Sequence, residues 1–173
     1  LKTIFIDNKA DNAGFGGVYL QYFQNLEDIA KSDKNALTIT KKIFKKVSTS
    51  AGEKLELIGN NSLKIGDLVT MQLRLTATEN LEFIHIKDLR ASCFEPTSVL
   101  SGYEWEDNLS YYKTAKDVST NFFIENLSKG SYILEYDVRV TNLGSFNDGI
   151  AFVQSMYAPE FTAHSASQKI KVE

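Results

Sequence analysis

Residues 121–141 read NFFIENLSKGSYILEYDVRVT, and this stretch decides the fold class. Apolar and polar side chains alternate along residues 131–141, which indicates a β-strand with one buried face. The aromatic and β-branched run at residues 122–124 favours another strand, and residues 126–130 are typical of a turn. We therefore expect these two strands to pair as antiparallel neighbours in a sheet meander. The predicted inward face comprises Tyr132, Leu134, Tyr136, Val138 and Val140, and the predicted outward face comprises Ser131, Glu135, Asp137, Arg139 and Thr141.

A second long alternation covers residues 68–78 and predicts a central strand. We expect its apolar side chains to face those of residues 131–141 across the core of a sandwich. Farther along, residues 84–86 move the apolar side chains to the opposite face from that of residues 81–83. Such a reversal predicts a β-bulge and leaves His85 on either side. The apolar positions of the central strand are Val69, Met71, Leu73, Leu75 and Ala77.

The rest of the chain alternates short apolar runs with turn residues and has almost no helical pattern. We predict a connector at residues 24–33. We predict a long loop at residues 91–112, with one short strand near its end. The fold class is therefore all-β, an immunoglobulin-like antiparallel β-sandwich. Further strands are predicted at residues 2–7, 18–23, 36–47, 54–58, 109–112 and 166–172, with a strand pair or bent strand at residues 145–157.

Charge and chain length limit the classes of partner. A net charge of −3 argues against nucleic acid as the main partner, because phosphate binding requires a positive field. The local exception is residues 41–46 (KKIFKK), whose lysines we expect to protect an exposed or edge strand from pairing. The alternative for these lysines is a site for a polyanion. No apolar run approaches the ~20 residues of a membrane helix. The chain starts at Leu1 without a signal-like segment, so we expect a piece of a longer protein.

Residues capable of catalysis do not occur at catalytic spacings. His85 and His164 are the two histidines, and neither lies at a metal-binding spacing with Cys93. No Gly-x-Ser-x-Gly motif is present to supply a nucleophile. An internal thioester requires Cys-x-Glu-Gln, and Pro96 occupies the position of the glutamine after Cys93. We therefore expect no enzymatic activity, no cofactor and no bound metal.

Residues 103–107 (YEWED) interleave aromatic side chains with carboxylates. Tyr103 and Trp105 are suited to stacking on a sugar ring, and the acids to glycoside cleavage if they face each other. The alternative is a surface loop with a packed tryptophan. A carbohydrate-binding or adhesin-like module is accordingly the alternative function, and an exposed, coplanar row of aromatic rings would favour it.

A series of short sequence words runs in order through most of the chain. The words are residues 16–23 (GGVYLQYF), 37–44 (LTITKKIF), 65–70 (IGDLVT), 94–96 (FEP), 102–103 (GY), 111–112 (YY), 129–132 (KGSY) and 156–160 (MYAPE). In these words and their order, the chain resembles the C-terminal macroglobulin-like domain of the bacterial alpha-2-macroglobulin family. The resemblance implies a macroglobulin-like β-sandwich without catalysis of its own.

The resemblance also implies a setting for the domain. Members of this family are large envelope proteins that trap proteases, and their final domain packs against a thioester-type domain of the same chain. We accordingly expect residues 1–33 to belong to a neighbouring CUB-like domain and residues 34–173 to form the macroglobulin-like domain. The implied location is the cell envelope, with the parent protein periplasmic or lipid-anchored. Target proteases are implied as partners of the full-length protein.

Met156 and Tyr157 are the site residues that the resemblance implies. In the family, the matching methionine and tyrosine lie over the thioester and help to exclude water from it. We expect Pro159 to end strand pairing and to leave this pair at an edge of the sandwich. The alternative is that Met156 fills the core and Tyr157 is a corner tyrosine.

Overall fold

The computed structural model consists of two antiparallel sheets packed face to face, so the predicted all-β sandwich is confirmed. It describes residues 5, 7, 9, 12–17, 21–32, 36–50, 52–59, 61–106 and 108–173. The strands are β1 (Leu37–Thr49), β2 (Gly52–Leu57), β3 (Leu68–Ala77), β4 (Leu81–Leu89), β5 (Phe94–Pro96), β6 (Gly102–Glu106), β7 (Leu109–Ala115), β8 (Ser119–Leu127), β9 (Gly130–Val140), β10 (Gly144–Asn147), β11 (Ala151–Ser155), β12 (Thr162–His164) and β13 (Lys169–Val172), and a 3₁₀ helix spans Leu26–Asp28.

The first sheet has the strand order β2-β1-β3-β9-β5, and the second has the order β12-β11-β4-β8-β7-β6. Strands β10 and β13 form a separate two-stranded ladder. The predicted strand at residues 2–7 lies mostly outside the described residues. The same holds for the first half of the strand predicted at residues 18–23, and residues 21–23 are not in a strand.

Strands β8 and β9 do not pair with each other, so the predicted hairpin is wrong. Strand β8 pairs with β4 and β7 in the second sheet, whereas β9 pairs with β3 and β5 in the first. The chain crosses between the sheets at Ser128 and Lys129, where the backbone N–H of Lys129 donates to Asn80 Oδ1 over 2.8 Å. A period of two residues defines which side chains point inward, but it does not define which strand lies alongside.

Strands β3 and β9 are neighbours in one sheet, with Met71 opposite Tyr136 in the register. Their inward faces were correctly predicted, but they lie side by side rather than across the core. The second sheet supplies the opposing layer, where the ring of Phe122 lies 6.2 Å from the ring of Tyr136. The core therefore forms between β1, β3 and β9 on one side and β4, β7, β8 and β11 on the other.

The lysines of residues 41–46 do not protect a sheet edge, because β1 is an interior strand between β2 and β3. Lys41 shares its inward face with the buried Ile39 and Ile43, and its side chain is only 1% exposed. Its Nζ lies 2.8 Å from Asp88 Oδ1 on β4, and Asp88 is completely buried. The expected edge strand is therefore a central strand that carries a buried ion pair between the two sheets.

The segment at residues 91–112 is more regular than predicted. It contains β5, β6 and the start of β7, and β6 pairs with β7 as a hairpin at one edge of the second sheet. Pro96 ends β5, and the turn at Asn108 has a φ of 63°. The sequence of this segment contains turn residues and a short alternation, but its irregular composition did not indicate that β6 and β7 pair.

Candidate interdomain surface

A row of aromatic rings crosses the outer face of the second sheet. The register places Tyr103 on β6 opposite Tyr112 on β7, Tyr112 opposite Phe123 on β8, and Phe123 opposite His85 on β4. The rings of Tyr103 and Tyr112 are 5.2 Å apart and inclined by 68°, whereas those of His85 and Phe123 are stacked at 4.6 Å. Directly opposed side chains on one face approach closely, so four neighbouring strands create a continuous aromatic surface.

The edge strand β6 contributes two mostly exposed rings to this surface. Tyr103 is 83% exposed and Trp105 is 73% exposed, so the tryptophan is not packed and does not lie in a loop. We call the surface the aromatic face. It encloses a shallow hollow of about 520 Å³. The aromatic face consists of Phe83, His85, Tyr103, Trp105, Tyr112, Phe123, Met156 and Tyr157.

Met156 and Tyr157 lie at the end of β11, where strand pairing stops. Met156 is 56% exposed and Tyr157 is 79% exposed, so neither fills the core. The backbone N–H of Met156 donates to the carbonyl oxygen of Phe83 over 2.9 Å. A turn beyond the pair is closed by the N–H of Phe161, which donates to the carbonyl of Ala158. Strand β11 itself is interior, between β4 and β12.

Phe83 connects this pair to the rest of the aromatic face. Its ring meets the ring of Tyr157 edge-on, with centroids 5.0 Å apart and planes inclined by 89°. The predicted reversal of the apolar face occurs here, but without an inserted residue, since Glu82 pairs with Asn126 and Ile84 with Ile124. The reversal instead uses a left-handed backbone at Phe83, where φ is 53°.

The acidic residues of β6 are bound to the sheet and do not flank an open cleft. The hydroxyl of Tyr111 donates to Glu104 over 3.1 Å and to Glu106 over 3.4 Å. Glu104 also forms an ion pair with Lys113. Burial, followed by the two carboxylates, raises the pKa of Tyr111 above its ordinary value. The carboxylates therefore share one donor, which differs from the facing arrangement that glycoside cleavage requires.

The two histidines lie on β4 and β12, which are separated by β11, and each has its own hydrogen-bond partner. His85 Nε2 lies 3.1 Å from Asn121 Oδ1, and His164 Nδ1 lies 3.1 Å from the carbonyl oxygen of Ser165. Among the described residues, no group of three potential ligands is positioned to hold a metal ion. Cys93 is completely buried, and burial raises the pKa of its thiol to about 11. A protonated, enclosed thiol is a poor nucleophile.

The family resemblance proposed Met156 and Tyr157 as site residues, and the interleaving of aromatic and acidic residues proposed Tyr103 and Trp105. Neither proposed the rest of the aromatic face. Part of that face was detectable in the run at residues 122–124. Three consecutive apolar residues in a strand cannot share one face, so either Phe123 or its two neighbours have to point away from the core, and the structure shows that it is Phe123. The assembly of the face from four strands depends on strand order, which no local pattern contains.

Residues 37–160 match the family model described as the bacterial alpha-2-macroglobulin MG10 domain. The chain belongs to this family. The match begins at the first residue of β1 and ends beyond the Met156–Tyr157 pair, so it covers β1 to β11 and the whole aromatic face. No curated protein sequence matches the chain.

Solved structures of bacterial alpha-2-macroglobulins share the fold of this MG10 domain. A Salmonella alpha-2-macroglobulin in which a tyrosine is mutated to glycine is 23% identical, with a TM-score of 0.66 over 84% of this chain. The native conformation of the Escherichia coli protein is 20% identical, with a TM-score of 0.66 over 88% of this chain. The matched region is 10% of each of those chains. The MG10 domain thus spans about a tenth of the length of these proteins, and its described residues contain no helix long and apolar enough to cross a membrane.

Proposed function

We propose that this MG10 domain is the final, non-catalytic domain of a protease-trapping inhibitor. In this proposal it packs against the thioester-type domain of the same parent chain and covers the reactive region with Met156 and Tyr157. The observation that carries the proposal is the exposure of these two side chains at the end of the aromatic face. A thioether and a phenol ring exclude water while the phenol hydroxyl still reaches a polar partner.

The aromatic face supports a protein partner on physical grounds. Exposed apolar patches larger than a few hundred Å² are uncommon on monomers and mark interaction sites. Aromatic and methionine side chains are enriched at the centres of protein interfaces, where charged side chains are depleted. Tyr103, Trp105 and Tyr157 are all mostly exposed, so burying them releases a large apolar area from water.

The parent protein would lie in the cell envelope, either periplasmic or attached by a lipid. Residues 1–33 would belong to a neighbouring CUB-like domain, with residues 34–173 forming the MG10 domain. Support comes from the family match, which begins at residue 37, and from the exposure of Phe5, Phe15 and Phe23. Apolar side chains that the described part of the chain leaves exposed are expected to pack on a neighbouring domain.

The proteases and nucleophiles that the parent protein meets are part of the same proposal. The matched Salmonella protein was reacted with methylamine, and matched Escherichia coli proteins were activated by porcine elastase and by trypsin. By analogy, target proteases would act on the full-length parent of this chain. The MG10 domain would contribute shielding and domain packing rather than contact with the protease active site.

Oxidation of methionine by hydrogen peroxide tests the docking. The chain has two methionines: Met156, which is half-exposed, and Met71, which is completely buried. In the isolated chain, sulfoxide should form quickly at Met156 and slowly at Met71, since oxidation requires access. In the full-length parent, Met156 should become protected while Met71 stays unchanged as the internal control. Equal oxidation of Met156 in both proteins would contradict the docking.

Substitution of Tyr157 tests the shielding. In a parent that carries a thioester, Tyr157→Ala should speed reaction with methylamine, because water and small nucleophiles gain access. A parallel Tyr132→Ala variant serves as a control for general loosening, since Tyr132 lies on β9 of the first sheet and packs against the core. In a parent without a thioester, Tyr157→Ala should expose Met156 to peroxide without changing any chemistry. An unchanged methylamine rate and unchanged oxidation would remove the shielding role.

A carbohydrate-binding module is the second candidate, because Tyr103 and Trp105 are exposed on one strand beside a hollow. The ring of Tyr103 is inclined by 68° to that of Tyr112, which argues against a flat stacking platform. Trp105 is the single tryptophan of the chain, so its fluorescence reports on this site directly. Saturable quenching by oligosaccharides that is lost in Tyr103→Ala would favour this function, and the absence of quenching would remove it.

A further inference from the structure

Phe83 has a backbone conformation that is unusual for its residue type. Its φ of 53° lies in the left-handed region, which large side chains rarely adopt. Such a conformation persists only where the surroundings enforce it, and it concentrates at functional sites. The ladder between β4 and β8 continues on both sides with Glu82 and Ile84 in register, so the strained residue is held within a sheet and not in a loose turn.

In this backbone conformation, both the carbonyl oxygen and the ring of Phe83 contact the Met156–Tyr157 pair. Its carbonyl oxygen accepts a hydrogen bond from the N–H of Met156 over 2.9 Å. Its ring meets the Tyr157 ring edge-on at 5.0 Å and 89°. Because Ile84 beside it is completely buried, the ring of Phe83 points to the outer face while β4 remains anchored in the core.

We infer that Phe83 is the positioning residue for Met156 and Tyr157. Its carbonyl fixes the backbone at Met156, and its ring selects the orientation in which Tyr157 projects toward the docked domain. The inference rests on the proposed shielding function and adds a residue that holds Tyr157 in the orientation required for shielding. Tyr157 is mostly exposed in this chain, so it needs such a contact to keep one orientation before docking.

An edge-to-face ring contact has a suitable magnitude for this role. Such contacts favour the held arrangement by a factor of about two to ten over a free ring. An unheld Tyr157 would distribute over several rotamers, since an exposed tyrosine changes rotamer freely. The fraction of the domain competent to shield would then decrease by a similar factor.

Three variants distinguish the contribution of the Phe83 ring from that of its backbone. Phe83→Gly removes the ring but accepts the positive φ without strain, so it is expected to fold. Phe83→Tyr retains the ring. Tyr103→Ala removes an exposed ring from the opposite end of the aromatic face and is the matched control for the measurement on the isolated chain only, because Tyr103 belongs to the proposed docking surface. The comparison uses the 173-residue chain and the full-length parent protein.

The first measurement is the NMR chemical shift of the Tyr157 ring protons in the 173-residue chain. A neighbouring aromatic ring in a fixed orientation displaces these resonances from their free-tyrosine positions. The displacement should collapse in Phe83→Gly and persist in Phe83→Tyr and Tyr103→Ala. Resonances that are the same in Phe83→Gly as in the unmodified chain, or that collapse equally in Phe83→Tyr, would overturn the inference.

The second measurement is the oxidation rate of Met156 in the full-length parent, together with the methylamine rate where a thioester is present. Phe83→Gly should raise these rates by about two- to tenfold, in line with the lost ring contact. Phe83→Tyr should leave them within about twofold. Rates that rise in Tyr157→Ala but not in Phe83→Gly would overturn the inference alone. Rates that Tyr157→Ala leaves unchanged would overturn the proposed function, whereas the NMR result on Phe83 would still decide the positioning.

Discussion

Lys41 neutralises Asp88 inside the core, and its ammonium group is fully coordinated. Besides the carboxylate at 2.8 Å, Nζ donates to the carbonyl oxygens of Leu89 and Asp148 over 2.7 and 2.9 Å. Asp88 Oδ2 accepts from the hydroxyl of Tyr136 over 2.6 Å. Burial and the adjacent carboxylate raise the pKa of Tyr136 well above its ordinary value. The ion pair joins β1 of one sheet to β4 of the other.

We expect Lys41→Met to lower the free energy of unfolding by about 3–5 kcal/mol, because it leaves Asp88 charged and buried without its partner. Urea denaturation of the two proteins measures the difference. Lys42→Met on the same strand is the control, since Lys42 is exposed and its loss should change stability by less than about 0.5 kcal/mol. Equal stabilities of Lys41→Met and Lys42→Met would contradict the role of the ion pair.

Because the thiol of Cys93 is buried, we expect the free energy of unfolding to fall at alkaline pH. Burial raises its pKa from 9.0 to about 11, so between these values the folded state retains a proton that the unfolded state releases. The unfolded state then binds fewer protons, and stability falls as pH rises through this window, by about 3 kcal/mol in total. Cys93→Ala should lack this component, although other groups that titrate in the same range remain.

The free energy of unfolding is measured for the unmodified chain and for Cys93→Ala at pH 8, 9, 10 and 11. The difference between the two proteins at each pH gives the contribution of the thiol. A difference that stays constant with pH would contradict the assignment. At pH 8 the thiol should also react with disulfide reagents only as fast as the chain opens, because Cys93 is completely buried.

At the scale of elements, the turn between β10 and β11 depends on one glycine. Gly149 has a φ of 72°, and a Cβ there would lie 2.7 Å from Leu89 Cβ and 2.9 Å from the Leu89 carbonyl oxygen. That carbonyl is one of the acceptors for Lys41. The turn therefore presses directly against the end of β4 at the buried ion pair, and it leaves no room for a side chain.

Gly149→Ala should therefore destabilise the chain by more than the backbone term alone, which is about 1–2 kcal/mol for a non-glycine residue in the left-handed region. Gly66→Ala is the matched control: its φ is 89°, but no atom lies within 4 Å of a Cβ at that position. The difference between the two variants in thermal denaturation gives the steric contribution. Equal losses would show that the contact with Leu89 relaxes without cost.

At the scale of the whole molecule, residues 34–173 are expected to fold without residues 1–33. The described part of that segment exposes most of its apolar side chains, including Phe5, Phe15 and Phe23. Its contact with the sandwich includes the backbone bridge between Ser32 and His164, whose hydrogen bonds are 3.0 and 3.2 Å long. The described residues of this segment therefore contribute little buried apolar area to the sandwich.

The truncated chain should therefore keep a cooperative thermal transition, with a loss of free energy of unfolding of about 1–2 kcal/mol for the bridging hydrogen bonds. Circular dichroism and calorimetry compare the two lengths. A truncated chain that is unfolded at 25 °C or that lacks a cooperative transition would show that the segment is part of the same domain.

Several features of the fold were predictable from the sequence because they depend on local patterns. The two-residue period along β3 and β9 correctly predicted the inward positions, such as Met71, Leu73 and Leu134, because a strand turns successive side chains to opposite faces. The absence of helical periodicity predicted an all-β sandwich. The ordered sequence words predicted the family that the comparison confirms for residues 37–160.

Only the tertiary structure determined which strands are neighbours and what lies between the sheets. Strand β8 joined the other sheet, where it pairs with the preceding strand β7 and with the more distant β4, instead of with the following strand β9. The local pattern of a strand does not determine which of its possible neighbours it pairs with. Lys41 occupies an inward position that its charge alone would have excluded, since the carboxylate of Asp88 comes from a different strand. The aromatic face likewise exists because four strands align their outward rings. Side-chain direction is a local property of a strand, whereas charge compensation and surface continuity depend on contacts made only when the sheets assemble.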